Sequence, residues 1–461
     1  MKPVAAAAVA LLACLAGALP AHALSFAEAY DAAIGHDAPY RAAGHERQAA
    51  QEAVPVARAS LLPQANLSVS RSSVSGDREF QNSLNQTVRT PVEYESPQAA
   101  LQMRMPLFND ELLARLGQAQ AQADGADAAL RMRRLEMIER LGAAYLGVLL
   151  AQDNLRLAQQ QVGLTERQVQ RSERRLAQGE GTRVDVVQAR ASLELARSRV
   201  TEARDRVSVA QRDLQRVTGV PSATLAATLE DYRATPLDSD SLIDWIERAR
   251  RDNPMIEVRQ QQIESARFNV RRSRAGHLPR VDLVASVSHS SNESITSLNQ
   301  KSQTQSLGVQ LNVPLFAGGG VEASVRQARA DQSRLQEELR ATTEAIELEV
   351  QRQFLAARSL AERIEVQGTV VAAADVALHA ANRSVDAGLG TVANVIEAQA
   401  QRFAVLRDLA QVRQEYLLAR LRLLTQAGSS AENVVQDLHR QLQSSTVAQA
   451  LPVSDKPSAQ P

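Results

Sequence analysis

Two stretches of the same form decide the fold of this 461-residue chain: Ala387–Glu397 (AGLGTVANVIE) and Gln178–Gln188 (QGEGTRVDVVQ). Each lies between two long helical patterns and places glycines where one helix should end and the next should begin. Glycine suits such a place because it tolerates the left-handed conformation that closes a helix. Both stretches therefore predict tips of helical hairpins, formed by Gly179, Gly181, Thr182, Gly388, Gly390 and Thr391.

The helices that flank the tips carry apolar residues at every seventh position. On the first long helix these are Leu141, Val148, Leu155, Val162, Val169 and Leu176, and on its return helix Val186, Leu193, Val200, Val207 and Leu214. The second tip has the same pattern on both sides. A sustained period of seven keeps one seam facing a partner only if the helices supercoil left-handedly. Each tip is thus predicted to join an antiparallel coiled-coil pair.

Composition limits the classes of function. Only 3% of the residues are aromatic, and 52 basic residues balance 52 acidic ones. Nothing therefore indicates nucleic acid as a partner, because no basic cluster interleaved with aromatic residues occurs. The histidines are scattered without metal-ligand spacing, and Gly318–Gly320 lacks the Lys-Ser/Thr of a phosphate loop, so we expect no metal and no cofactor.

The N-terminus has the pattern of a secretory signal over residues 1–23. An apolar run follows Lys2 and ends at Ala21–Ala23 (AHA), which fits the small-x-small cleavage site. An alternative interpretation takes Leu11–Cys14 as a lipidation box with Cys14 as the anchored first residue. After this segment no stretch approaches the roughly 20 apolar residues of a membrane helix. We therefore expect an exported protein that could cross a membrane only with strands.

Four short motifs occur twice in the same order, near 210 residues apart. Leu61–Ser70 matches His277–Ser286, Met105–Phe108 matches Val313–Phe316, Asp37–Pro39 matches Asp252–Pro254, and the two tips match each other. This order predicts two copies of one unit, residues 24–240 and 241–428. The tail 429–461 should lie with the linker between the copies, and its Ser, Gln and Pro content predicts disorder beyond Leu442.

Each copy reads as helix, strand, long polar loop, strand, long helix, tip and return helix. The predicted ranges are a single pre-strand helix at about 26–59, strands at about 64–74, 98–106, 280–288 and 305–314, loops at 75–97 and 289–304, long helices at 109–178 and 321–386, and return helices at 183–217 and 391–427.

The four strands alternate between apolar and polar residues, so each has one apolar and one polar face. They could be half-buried strands of a soluble domain, or the wall of a membrane barrel with its apolar face toward lipid. Four strands cannot close a barrel, and unpaired edges cost several kcal/mol per backbone group in lipid. A barrel would therefore require oligomerisation, and a trimer would supply twelve strands.

Taken in order, Leu62–Gln64, Pro106–Phe108, Gly276–Pro279, Pro314–Phe316 and the two tips resemble the TolC family of outer-membrane channel proteins. The resemblance covers the whole mature chain. It places Pro63, Pro106, Pro279 and Pro314 at strand–helix junctions. The fold class it implies is an α+β membrane protein, with a helical coiled-coil barrel continuous with a twelve-stranded transmembrane β-barrel.

The same resemblance implies a homotrimer in the outer membrane of a Gram-negative bacterium, in contact with its lipid, with the helices in the periplasm. Such channels join a periplasmic adaptor and an inner-membrane ABC, RND or MFS pump, with the adaptor at the tips. They export proteins by type I secretion, or drugs, and are not enzymes. The sequence does not choose between these cargoes.

In this family, acidic side chains of the second tip ring the pore, and these positions fall on Asn394 and Glu397 here. One of them is an amide, so a trimer would carry one ring of three carboxylates, and the cation preference should be weaker than with two rings. Gln188 on the first tip is placed at the aperture with them. The alternative is that Glu397 is only a solvated residue near a helix start.

Asp185 on the first tip matches a position that in the family helps hold neighbouring helices closed. Its basic partner would align with Gly390, which has no side chain, so Arg183 and Arg190 are considered as substitutes. Equally, Asp185 could simply favour the first turn of its helix.

Two other classes of protein are weaker fits. A periplasmic coiled-coil adaptor also presents helical tips, but it would be expected to have one hairpin, small β domains and an inner-membrane anchor. A secreted enzyme would need a catalytic constellation, and the sequence offers none.

Overall fold

The structure is a computed structural model that describes residues 23–221, 225–230, 232–292 and 300–447. The predicted signal peptide, except its last residue, lies outside these ranges, as do Cys14 and the last part of the tail. Among the helices that the structure describes, none is both long enough and apolar enough to cross a bilayer.

Nine helices occur within the described ranges, two of them very long. They are α1 Phe26–His36, α2 Ala38–Ala59, α3 Asp110–Ala177, α4 Arg183–Thr218, α5 Leu242–Asp252, α6 Pro254–Arg274, α7 Gly320–Asp386, α8 Val392–Gln426 and α9 Ala431–Val447. A short 3-10 turn, Ala275–His277, follows α6.

The single helix expected over about 26–59 is in fact two. It breaks at Asp37, whose carboxylate accepts a hydrogen bond from the backbone amide of Tyr40 at 2.9 Å and so caps α2. The same carboxylate pairs with Arg140 at 2.8 Å although Asp37 is only 4% exposed. The expected disorder beyond Leu442 is also too early, because α9 continues to Val447.

Four antiparallel strands form one sheet in the order β1-β2-β3-β4. They are β1 Gln64–Gln81, β2 Thr87–Phe108, β3 Arg280–Asn292 and β4 Gln300–Asn312. The expectation of a long polar loop over 75–97 is wrong, because β1 and β2 stay in register out to the pair Gln81 and Thr87. The polar side chains favour a loop there, but an antiparallel ladder satisfies the backbone whatever the side chains are.

Alternation places the large apolar side chains of the strands on one face of the sheet, and the structure leaves them uncovered. Leu67, Val69 and Leu307 are 66%, 74% and 76% exposed. An exposed apolar face of this extent marks a surface that meets another protein or a membrane.

The chain divides into two compact units. The sheet unit holds His45–Ala129 and Met255–Ala341, with the four strands and the helical segments that enter and leave them. The tip unit holds the described residues up to Gly44 together with Leu130–Pro254 and those from Thr342 onward, including both hairpin tips.

Within the tip unit, the helices on either side of a tip are antiparallel pairs. Val169 of α3 packs with Ala189 and Leu193 of α4 in one buried cluster. Ion pairs join the same helices, from Arg190 to Glu173 at 2.5 Å, and a second pair lies two turns further from the tip. The predicted seams therefore do face each other.

The linker after α4 is held against α8 and α9 by a buried polar network in the same unit. Arg420 forms a bidentate ion pair with Asp437, at 2.7 and 2.9 Å. The hydroxyl of Tyr416 donates to the carbonyl of Thr235 at 2.6 Å, and Tyr416 lies beside Tyr232 with ring centroids 6.1 Å apart. Both partners of the ion pair are satisfied, which a buried charge pair needs in order not to destabilise the fold.

Candidate functional site at the helical tips

The two tips have the same backbone. Gly179 and Gly388 follow the ends of α3 and α7 with positive φ of 80° and 74°. At the first tip the amides of Glu180 and Gly181 donate to one carbonyl of the last turn of α3, at 2.9 and 3.1 Å. At the second tip the equivalent two amides donate to the carbonyl of Ser384, at 2.8 and 3.0 Å. The orphan carbonyls of each long helix are satisfied inside the tip itself.

The second glycine of each tip is favoured by close packing. A Cβ on Gly181 would lie 3.1 Å from the backbone nitrogen of Leu176, and a Cβ on Gly390 would lie 3.0 Å from the Cβ of Ser384. The resemblance to the TolC family would place a basic side chain at position 390 as the partner of Asp185. In this backbone such a side chain would crowd Ser384.

Each return helix begins with a threonine cap. The hydroxyl of Thr182 accepts from the amide of Asp185 at 3.2 Å, and the Asp185 carboxylate accepts from the amide of Thr182 at 3.0 Å. Thr391 accepts from the amide of Asn394 at 3.4 Å, and its hydroxyl donates to the Asn394 side chain at 2.9 Å. Asp185 and Asn394 therefore occupy the same capping position, the third of their helices.

The two tips place their acidic residues at different positions. Gln188 follows Asp185 by three residues, Glu397 follows Asn394 by three, and both of these side chains are exposed. Each tip thus carries one carboxylate and one amide in opposite order. The sequence already contains this signal, because Gln188 and Glu397 stand at the same offset from the glycines of their tips.

Of the four aperture candidates, Glu397 and Gln188 are free to face an opening. Within the described residues neither forms a hydrogen bond or an ion pair, whereas Asp185 and Asn394 are engaged in caps. A carboxylate on the sixth residue of a helix is beyond the strongest influence of the helix dipole. Its charge therefore acts mainly on the surrounding solvent and ions.

The substitutes considered for the closing contact do not bridge the hairpins. Arg190 pairs with Glu173 inside its own hairpin, and Arg183 has no ion-pair partner among the described residues. Two other arginines, which the sequence reading did not single out, join α3 to α7. Arg175 donates to the carbonyl of Val385 at 2.9 Å, and Arg171 donates to the side chain of Asn382 at 3.1 Å.

Large apolar side chains are exposed at both tips. Val184 and Val187 on the first turns of α4 are 62% and 65% exposed, and Leu389 between the two glycines of the second tip is 88% exposed. Polar residues would be expected at a tip that meets only water.

The junction prolines lie where strands begin and end, with one difference. Pro63 and Pro279 each stand immediately before a strand, and Pro314 follows the end of β4. Pro106 lies inside β2, opposite Asp282, at a shift of register that accommodates a residue without a backbone donor. In the described part of the chain no group of His, Cys, Asp and Glu could hold a metal ion.

Comparisons with known proteins agree with these observations. The sequence model described as "Outer membrane efflux protein" matches residues 29–220 and 245–429. The chain is 33% identical over 434 residues to "Proteases secretion protein PrtF" of Dickeya chrysanthemi, covering 93% of each chain. It is 32% identical to "Alkaline protease secretion protein AprF" of Pseudomonas aeruginosa, covering 88% of this chain and 85% of that one.

Among solved structures, the fold is similar to that of CusC, described in connection with transmembrane channel formation. The TM-score is 0.75 at 18% sequence identity, covering 89% of this chain and 93% of CusC. At this identity the likeness establishes the fold.

Proposed function

Because the chain belongs to the outer membrane efflux protein family, we propose that it is the trimeric outer-membrane channel of a type I secretion system that exports proteases. The chain is an outer-membrane export channel with its helices in the periplasm, as its family and its relatives indicate. What we propose beyond this is that the channel is a trimer, that its cargo is proteases, and that the tip residues act in gating and in docking the adaptor.

The proposal of protease cargo rests on the match to PrtF and AprF over nearly the whole chain. Both names state that these proteins serve the secretion of proteases. A channel of this kind works with an adaptor and a pump, and for protease cargo the pump would be of the ABC class.

The experiment is deletion of the gene, followed by assays of secreted proteins and of drug susceptibility in the same strain. Loss of a secreted protease with unchanged drug susceptibility supports the proposal, and the opposite pattern overturns it.

The trimer is supported by the edges of the sheet. In the described strands, β1 pairs only with β2, and β4 pairs only with β3, so two edges are open. Open edges are not stable in lipid, and three copies would close a barrel of twelve strands. The mass of the purified protein in detergent, measured by light scattering, should be three times that of the mature chain. A monomer or dimer that still conducts ions would refute the trimer.

The tips are proposed as both the gate and the docking surface for the adaptor. Arg171 and Arg175 would hold the two hairpins together in the resting state, and Glu397 would set the charge of the opening. Val184, Val187 and Leu389 would contact the adaptor. Cysteine crosslinking from Leu389 to the adaptor in cells tests the docking, because a tip that never forms the crosslink does not meet it.

A further inference from the structure

A groove lined by arginines lies between α6 and α7 in the sheet unit, close to the start of β3. It encloses about 600 Å³ and is lined by Arg267, Arg271 and Arg274 of α6, together with Glu264, Phe268 and Gln332. We call it the basic groove. Nothing in the function proposed above requires a cluster of positive charge here.

The register of the two helices shows what faces the groove. His277 lies 3.8 Å from Glu322, and Arg259 lies 3.5 Å from Glu338, so α6 and α7 are antiparallel neighbours. By interpolation, Arg329 of α7 stands at the height of Phe268 and Val270 of α6, along the middle of the groove. Its side chain is exposed.

Arg274 of the groove and the neighbouring Arg329 lack a carboxylate partner in the part of the chain that the structure describes. Arg267 contacts Glu264 at 3.4 Å, and Arg271 is bound to Asp110 at 2.5 Å. Arg274 and Arg329, in contrast, form no ion pair or hydrogen bond with any described residue, and both are exposed. The groove therefore keeps a net positive charge and free donors.

With β3 and β4 spanning the outer membrane, as proposed above, the groove lies at the height of the membrane surface. β3 and β4 each have 13 residues, which at about 3.3 Å per residue and a tilt of about 40° span roughly 33 Å, close to the hydrocarbon thickness of about 30 Å. Arg274 precedes the first residue of β3 by only six positions, which puts it in the head-group layer.

Apolar residues just after β4, whose end pairs with the start of β3, support this placement. Leu315 and Phe316, just after β4, are 92% and 89% exposed. Exposed aromatic and aliphatic side chains at the ends of spanning strands are typical of the interface between lipid and water. Positive side chains just beyond them meet phosphate groups.

We propose that the basic groove binds the head group of an anionic phospholipid of the periplasmic leaflet, with Arg274 and Arg329 as the principal phosphate donors. The guanidinium groups match phosphate oxygens in charge and geometry. Leu315 and Phe316, just after the end of β4, provide contact for the start of the acyl chains. This inference rests on the proposed spanning of the membrane by β1–β4.

The test is native mass spectrometry of the purified full-length protein, delipidated and titrated with phosphatidylglycerol or with phosphatidylcholine. The Arg274→Gln/Arg329→Gln variant removes two charges without breaking an ion pair. The matched control, Arg204→Gln/Arg212→Gln, removes two exposed arginines of α4 that also lack a carboxylate partner among the described residues. We expect the preference for phosphatidylglycerol to fall by about fivefold for each groove arginine, roughly 25-fold in the double variant, and to be unchanged in the control.

An unchanged preference in the groove variant, or an equal loss in the control, overturns the proposal. A preference of the wild-type protein that does not weaken with added salt overturns it independently of any variant. Inorganic phosphate at the same concentration should not displace the lipid, and displacement would mean that the groove is a site for free phosphate instead. Conductance in planar bilayers is measured on the same samples, so that failure of the channel itself is recognised separately.

Discussion

Arg175 of α3 and Val385 of α7 connect the two hairpin tips through one hydrogen bond of 2.9 Å, from a guanidinium nitrogen to a backbone carbonyl. The same carbonyl accepts from the amide of Gly388 at 3.1 Å, which is part of the second tip's turn. The contact between hairpins thus ends on the backbone that closes the helix. A movement of one hairpin away from the other would remove a partner from a carbonyl of a residue that is only 2% exposed.

Replacing Arg175 with alanine should therefore raise the conductance of the resting channel. A charge-assisted hydrogen bond contributes about 1.5–3 kcal/mol, so its loss should increase the open population by roughly tenfold or more. Single-channel recording in planar bilayers measures this directly. Arg174→Ala is the matched control, because among the described residues the Arg174 side chain bonds only to the carbonyl of Gln170 in its own helix. Equal conductance of the two variants would contradict a role of Arg175 in closure.

The exchange of charge between the tips predicts opposite effects on ion selectivity. Glu397→Gln removes an exposed carboxylate that has no partner within the described residues, so the preference for cations should fall. Gln188→Glu places a carboxylate at the equivalent position of the first tip and should increase it. Reversal potentials under a salt gradient test both variants. Shifts in the same direction, or none, would mean that these side chains do not line the opening.

Sequence reasoning reached the architecture because helices with a period of seven and alternating strands are local patterns. It could place the tips to the residue, since a positive φ after a helix nearly requires glycine. It could not find Arg175, because a contact between residues 210 positions apart depends on how two hairpins lie side by side. It also ended β1 too early, because the outer half of that strand is held by backbone pairing and not by an apolar pattern.

Gly388→Ala should destabilise the protein, whereas Gly368→Ala should stabilise it. Gly388 has a φ of +74°, and a side chain in the left-handed region costs roughly 1–2 kcal/mol. Gly368 lies within α7, and a Cβ there would meet nothing within 4 Å. Alanine should therefore raise the free energy of unfolding by about 0.5–1 kcal/mol. Thermal unfolding followed by circular dichroism distinguishes the two. Equal melting temperatures would show that the tip relaxes to another conformation.

Asn394→Asp should stabilise the start of α8. The side chain already accepts from the Thr391 hydroxyl at 2.9 Å, and a carboxylate there would reproduce the capping box of Asp185 and interact favourably with the helix dipole, by about 0.3–1 kcal/mol. Hydrogen exchange of the first amides of α8 should slow by a few-fold. Asp185→Asn should have the reverse effect at α4. Faster exchange in Asn394→Asp would indicate that repulsion between neighbouring carboxylates outweighs the cap.

Glu139 provides a prediction on pH, because its carboxyl group is half-buried within the tip unit. Burial raises its pKa above the usual value, opposed by the hydrogen bond from Thr425 and by the charge of Arg422. A carboxyl group whose pKa is raised by folding contributes stability that is present below the unfolded pKa of about 4.3 and is lost as the pH rises through the folded pKa. At pH 7 the ionised, partly desolvated group therefore destabilises the fold.

Glu139→Gln should raise the melting temperature at pH 7, because the neutral amide can still accept from Thr425, and the difference from the wild-type protein should shrink as the pH approaches 4. Glu136→Gln, at a carboxylate of the same helix whose partner is Arg133 at 2.8 Å, should show no such gain at pH 7. A benefit of Glu139→Gln that stays constant between pH 4 and 7 would mean that the raised pKa is not its cause.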